Sequence, residues 1–287
     1  MALRLGLIGR GRWGRNIERT LASFPDVSVV PVAKGAARPD ALDGVLIATP
    51  SATHAEIALP YIEAGIATFI EKPMATSLRD AERIRDAAAR SGAPVFVGHI
   101  YLHHPAFLAA LALLPELGPV RSLICEGAND RPRADSSVLW DWLPHDLSMA
   151  RAIFGCDADG ARAWKLLGDT HAEVAVAEFQ FGEAGVVSMT SWHSPIRTRR
   201  VTIVCDKAVA VFDDKADAKL AVHRKDDAIW YPEHSDEPPL TCELGAFLRT
   251  LRSGKPDVSD LETGVAVVRA IAAAERSIEL GGQPVPV

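Results

Sequence analysis

The segment Leu3-Arg4-Leu5-Gly6-Leu7-Ile8-Gly9-Arg10-Gly11-Arg12-Trp13-Gly14 constrains the fold more than any other stretch of the chain. An apolar run meets three glycines at G-x-G-x-x-G spacing, and Arg15 to Ser23 follows with Ile17 and Leu21 at helical spacing. A buried strand turning through glycines into a helix is the phosphate-cradling start of a dinucleotide-binding unit. Gly9 permits the tight turn, Gly11 lets the backbone approach a pyrophosphate, and Gly14 lets the helix pack closely on the strand. The helix then points its unpaired N–H groups and positive dipole end at the anion. Glycine triplets also occur in plain turns, so the weight of the reading rests on the flanking strand and helix patterns.

Alternation continues through the first hundred residues. Val27 to Ala33, Val45 to Thr49, Thr68 to Glu71 and Pro94 to Gly98 read as short apolar strands, while Thr53 to Ala64 and Leu78 to Ser91 have helical spacing. Ser77 precedes the second of these helices with Asp80 at its third position, and Gly92 with Pro94 closes it. This rhythm predicts a doubly wound parallel sheet with right-handed crossovers. After Tyr101 it changes: helices over Pro105 to Leu114 and Trp140 to Phe154 flank a strand over Val120 to Glu126 and a polar loop over Asn129 to Ser137. Strands over Ala172–Phe181, Gly185–Trp192, Arg200–Cys205, Ala208–Asp213 and Leu220–His223 then follow without intervening helices, before closing helices over Leu244–Arg252 and Glu262–Leu280. That run predicts a large, mostly antiparallel open sheet. The fold class is therefore α/β, with a dinucleotide-binding Rossmann domain over 1–100 and an α+β domain for substrate binding and oligomerisation over 101–287.

Composition narrows the partners. The formal net charge of -6, with scattered arginines, argues against nucleic acid. No apolar run reaches the roughly 20 residues needed to span a bilayer, since Ala106 to Leu114 stops at Pro115. The first apolar segment is a strand ending in glycine and not the middle of a signal peptide, which points to the cytoplasm. Cys125, Cys156, Cys205 and Cys242 lie far apart, as reduced, mostly buried thiols do.

Two further clusters carry chemistry. Glu71-Lys72-Pro73 lies at the end of a predicted parallel strand, the sheet edge where ligands bind in doubly wound folds. Asp141 and His145 are four apart and share a helix face if their segment is helical, although Pro144 suggests a first turn or a bend. Taken alone, the triplet also suits a solvated strand end, and Asp141 with His145 also suits an N-cap and a backbone-bonded histidine. Histidine has a pKa near neutrality and can therefore serve as a base toward a substrate hydroxyl. A lysine supplies positive charge where alkoxide develops. The spacing of His99, His103 and His104 matches no metal site, so no metal is assigned. Trp140 and Trp142 read as wall or core residues, and Arg131 and Arg133 as solvated side chains or a diphosphate clamp.

The chain resembles the Gfo/Idh/MocA family of nicotinamide-dependent oxidoreductases. The residues that carry the resemblance are the Gly9 to Gly14 turn, Thr49-Pro50 followed by His54, Glu71-Lys72-Pro73, Val97-Gly98 with His104-Pro105, and Asp141 with His145. The run Val138-Leu139-Trp140-Asp141 with Pro144-His145-Asp146-Leu147-Ser148 is most similar to members that oxidise the 3-hydroxyl of nucleotide-linked amino sugars such as UDP-N-acetylglucosamine. The resemblance implies that Lys72 sits between nicotinamide and substrate, that His145 is the acid/base, and that Asp141 contacts or orients the reacting sugar. It also implies a cofactor site drawn from Gly9, Gly11, Arg12, Trp13, Gly14, Lys34, Thr49, Pro50, His54, Glu71 and Lys72, a frequently cis bond at Lys72-Pro73, and a homo-oligomer.

Departures from the pattern are specific. About 20 residues past the glycines, where an acidic residue usually holds the adenosine ribose of NAD, the chain has Ala33-Lys34-Gly35. Lys34, with Arg10, Arg12 or Arg38, favours the 2′-phosphate of NADP over NAD. The connection from Lys34 to Asp43 is short for a crossover helix, which needs at least about 10 to 12 residues, so adenosine is held loosely or by another subunit. Leu143 stands where the family usually has glycine, narrowing the approach to His145. A nonredox binding or partner protein on the same fold, and a hydrolase or lyase with a tightly held NAD, remain rival readings.

Overall fold

Five short strands, β1 (Leu3–Ile8), β2 (Val27–Val32), β3 (Gly44–Ile47), β4 (Ala67–Glu71) and β5 (Val95–Gly98), pair in parallel in the order β2-β1-β3-β4-β5. The computed structural model describes residues 2–33, 35, 41–133, 136–254 and 260–287. Lys34 and Arg38, assigned above to cofactor discrimination, lie outside the described residues. Helices α1 (Arg12–Leu21), α2 (His54–Glu63) and α3 (Leu78–Ser91) follow strands β1, β3 and β4. The Ser77 hydroxyl accepts from the Asp80 backbone N–H at 3.2 Å, and Gly92 ends α3 in the left-handed conformation, as the local sequence predicts.

The chain divides into two compact units, Met1–His103 with Glu237–Val268, and His104–Asp236 with Arg269–Val287. The single cut expected near residue 100 differs from this, because a later segment returns to the first unit. Crossover geometry gives the reason. The step from β1 to β2 runs one way across the sheet and the steps from β3 to β4 to β5 run the other, so right-handed crossovers place α1 on one face and α2 and α3 on the opposite one. α1 supplies Ile17 and Leu21 to its face but leaves Phe69 and Phe96 to be covered. Helix α6 (Pro239–Ser253) completes that face with Leu244, Ala246, Phe247 and Leu248, joining Leu5, Leu7, Leu46, Phe69 and Phe96 in one core. The Phe247 ring meets Phe69 and Phe96 edge to face at 5.5 and 5.7 Å.

The second unit is built on eight strands in the order β12-β11-β10-β6-β9-β8-β7-β13. These are β6 (Val120–Ala128), β7 (Gly160–Leu167), β8 (Val174–Phe181), β9 (Ala184–Ser191), β10 (Thr198–Cys205), β11 (Ala208–Asp213), β12 (Leu220–Arg224) and the short β13 (Val285–Pro286). Neighbouring strands pair antiparallel except β6 with β9, which are parallel. Burial alternates along the strands. One face packs on α4 (Pro105–Leu117) and α5 (Val138–Phe154), and the other leaves Ile124 and Met189 exposed. Helix α7 (Leu261–Glu279) closes the chain, and its Ser277 hydroxyl accepts from the Ala163 N–H at 3.0 Å.

Three local expectations differ from the structure. Strand β7 is absent from the sequence reading because its buried residues Ala161 and Ala163 have weak β preference, and its pairing with β8 supplies what propensity does not. Pro115 lies inside α4 and does not end it. Pro144 likewise lies inside α5, past the first turn, because the helix begins at Ser137, whose Oγ accepts from the Leu139 N–H at 3.2 Å. Asp141 is therefore not an N-cap. Among the described residues no helix is long and apolar enough to cross a membrane.

Candidate active site

In the first unit the glycine turn is enforced by space. Gly9 has φ +94, and a Cβ there would lie 2.4 Å from the Ala48 carbonyl oxygen, while a Cβ on Gly14 would lie 1.8 Å from the Gly9 carbonyl oxygen. Neither position can hold a side chain without moving backbone. A Cβ on Gly11 meets nothing within 4 Å, so this glycine is exposed toward open space. The α1 N-terminus beside it has no side-chain cap and no acidic residue in its first turn. Open space, a positive helix end and the lack of a competing carboxylate fit the pyrophosphate of a dinucleotide. Arg10 pairs with Glu18 at 3.0 Å, and Arg12 is exposed at the start of α1.

The carboxyl edge of the sheet gathers the remaining first-unit residues. The Trp13 indole N–H donates to the Glu71 carboxylate, and the Lys72 backbone N–H donates to the same group at 3.2 Å. Gly98, paired with Glu71 in register, leaves room for it, since a Cβ there would lie 3.1 Å from Glu71 Oε2. Burial pushes the Glu71 carboxyl up to about 7, against the opposing pull of the Trp13 hydrogen bond and the Lys72 charge. The Lys72–Pro73 peptide bond is cis. His54 is buried, with Nδ1 2.8 Å from the Pro73 carbonyl oxygen and Nε2 2.9 Å from that of Thr49, so it ties the end of β3 to the turn after Lys72. Burial lowers its pKa. Thr49 also accepts from the Thr53 hydroxyl at 2.9 Å, and Pro50 is exposed. His99, the residue after β5, is buried with neither ring nitrogen hydrogen-bonded, and burial, assisted by His103 and Lys72, lowers its pKa to about 3. It is neutral at physiological pH.

In the second unit α5 places Asp141 and His145 one turn apart on the same side. Asp141 Oδ1 accepts from Arg133 Nη2 at 3.1 Å and Oδ2 accepts from Trp192 Nε1 at 3.1 Å. Arg133 thus pairs with a site carboxylate. Trp192, just past β9, was not singled out in the sequence, where nothing local connects it to a residue 51 positions earlier. His145 is buried, and its ring lies 6.4 Å from that of Trp142, edge to face. Trp140, Trp142 and Leu143 are buried, in keeping with a wall or core role for the two tryptophans. His104 caps α4, its Nδ1 accepting from the Ala106 N–H at 3.2 Å. Among the described residues no group of three or more His, Cys, Asp or Glu is arranged to hold a metal ion.

A glycine turn feeding a helix at the carboxyl edge of a parallel sheet, joined in one chain to an open antiparallel sheet that carries an Asp/His helix, defines a dinucleotide-binding oxidoreductase. The family described as "Oxidoreductase family, NAD-binding Rossmann fold" matches residues 13–99. A putative oxidoreductase from Magnetospirillum magnetotacticum is 32% identical, with a TM-score of 0.86 over 96% of this chain and 100% of that one. The chain belongs to the Gfo/Idh/MocA oxidoreductase family. Among curated relatives, the myo-inositol dehydrogenase Hyg17 of Streptomyces leeuwenhoekii is 29% identical over 52% of this chain and 51% of its own length. This chain therefore spans about half of that relative. UDP-N-acetylglucosamine 3-dehydrogenase of Acidithiobacillus ferrooxidans is 26% identical over 81% of this chain and 77% of its own length.

Proposed function

We propose that the protein transfers a hydride between NAD(P) and a ring hydroxyl of a sugar or cyclitol, with a nucleotide-linked sugar as the substrate. The observation that carries this reading is the Asp141–His145 pair, set on one side of a buried helix with the carboxylate fixed by Arg133 and Trp192. The glycine turn, Trp13, Thr49, Pro50, His54 and Glu71 hold or shape the dinucleotide site. When bound, the nicotinamide supplies the hydride acceptor or donor. His145 takes the proton from the reacting hydroxyl oxygen in the oxidative direction and returns it in the reductive one. Positive charge stabilises a developing alkoxide, and the family resemblance gives that role to the Lys72 ammonium. Asp141 orients the sugar through its carboxylate. Relatives acting on UDP-N-acetylglucosamine and on myo-inositol support a polyhydroxylated ring, and the long α5 resemblance favours the nucleotide-linked class. Lys34 favours NADP.

The open sheet face bearing Ile124 and Met189, 42% and 53% exposed, suits a second copy of the chain, and size-exclusion chromatography with light scattering tests the homo-oligomer. The function is tested by following reduced-nicotinamide absorbance with UDP-N-acetylglucosamine or myo-inositol and either cofactor. Lys72→Ala and His145→Ala each lower kcat/KM about 1000-fold with the melting temperature unchanged. Near-native turnover in either variant removes that residue from the mechanism. Lys34→Asp shifts the preference toward NAD.

A further inference from the structure

Helix α5 contains a break in its own scaffolding. Pro144 has no N–H, so the ladder bond that would join it to the Trp140 carbonyl is missing between Asp141 and His145. Their relation therefore depends on what grips the helix on either side of the proline. Arg199, on β10, does so. Its Nη1 donates to Asp146 Oδ1 at 2.5 Å, and its guanidinium carbon lies 5.9 Å from the centre of the Trp142 ring. Trp142 and Asp146 are one turn apart, directly beside the Asp141 and His145 positions, and they straddle Pro144. Asp146 and Arg199 are both fully buried. The second Asp146 oxygen accepts from the Ser188 hydroxyl of β9, and β6 presses on Trp142 from below, where a Cβ on Gly127 would lie 2.7 Å from the indole. The Trp142 ring in turn stands edge to face with His145.

We propose that Arg199 is a positioning residue for catalysis, clamping α5 across Pro144 through Asp146 and Trp142 so that Asp141 and His145 keep one fixed relation. The inference rests on the reading of His145 as the base. A buried ion pair is poor evidence of stability, because apolar residues of similar volume often replace one without loss, and its best-attested use is to fix register. Arg199 suits that use because one guanidinium N–H meets Asp146 while the flat face of the same group meets Trp142.

The test compares stability with function in the full chain. Asp146→Leu combined with Arg199→Met removes both charges together and leaves the melting temperature near that of the parent. In that variant kcat falls about 100-fold while the NAD dissociation constant, measured by calorimetry, changes less than about twofold. Arg199→Lys keeps the charge but loses the flat face that meets Trp142, and retains only part of the rate. The imidazole ¹⁵N resonances of His145, assigned by their loss in His145→Ala, shift in the double variant without any substrate present. Wild-type kcat together with an unchanged His145 spectrum overturns the proposal. If the double variant does not fold, Ser188→Ala and Arg199→Lys decide: both lower kcat at unchanged NAD affinity, and parental rates in both overturn it. Full turnover in His145→Ala sinks the base assignment alone, since the spectrum still reports the positioning.

Discussion

The two units hold their functional residues by different means. In the first, most of the fixing contacts run to or through the main chain: Gly9 against Ala48, Gly14 against Gly9, Glu71 against the next N–H, with Trp13 to Glu71 the side-chain exception. In the second, Asp141 depends on Arg133 and Trp192, and its helix on an arginine 53 residues beyond Asp146. A nucleotide is bound by main chain, which glycines and strand order specify, whereas variable substrates are met by side chains brought in from separate strands. Mutations that disturb the main chain should therefore be felt as fold defects in the first unit, and loss of a supporting side chain as a rate defect in the second.

The glycines give the largest effect with which to break that contrast. Gly14→Ala drives a Cβ into the Gly9 carbonyl and costs about 3 kcal/mol in urea unfolding. Gly11→Ala meets nothing, leaves stability within about 0.5 kcal/mol, and still weakens NAD binding at least tenfold by the roughly 1.4 kcal/mol that a blocked phosphate approach represents. Equal stability losses in the two variants would erase the distinction between turn geometry and anion access. In the second unit, Trp192→Phe keeps an aromatic ring but removes one donor to Asp141 and leaves a small cavity at a fully buried position. It lowers kcat about tenfold and also lowers the melting temperature, read from steady-state rates and calorimetry.

A pH dependence is carried by the first unit. Glu71 titrates near 7 in the folded chain and lower when unfolded, so its contribution to stability is present below the unfolded pKa and is lost as pH rises through about 7. His99 acts in the opposite sense, its depressed pKa removing stability as pH falls below 6.5. Between pH 5 and pH 8 the two largely offset one another, so melting of the cofactor-free protein changes little, and Glu71→Gln unmasks a rise with pH of about 2 kcal/mol. An unchanged profile in the variant would place the titrating group elsewhere.

What the sequence discloses follows the same division. The glycine turn, the parallel strands and the Ser77 to Gly92 limits of α3 are legible because each is decided by neighbours a few positions away. The Asp141–His145 pair is legible as spacing. Its supports are not, since an arginine in a polar loop and another in a strand carry no local sign of the carboxylates they meet. Pro115 reads as a helix end and Pro144 as a first turn or a bend because intrinsic preference opposes proline inside a helix, and tertiary packing keeps both helices continuous. The return of α6 is invisible for a related reason: nothing near Leu244 or Phe247 says which of two sheets they will cover.

That return bears on how the protein is made. A ribosome releases Phe69 and Phe96 long before Phe247, so during synthesis the nucleotide-binding sheet waits with one apolar face only partly covered by α1 while strands β6 to β12 are being translated. The nascent chain is thus most exposed to chaperones and proteases over that interval, and maturation of the first unit is timed by the emergence of a helix far downstream of its strands.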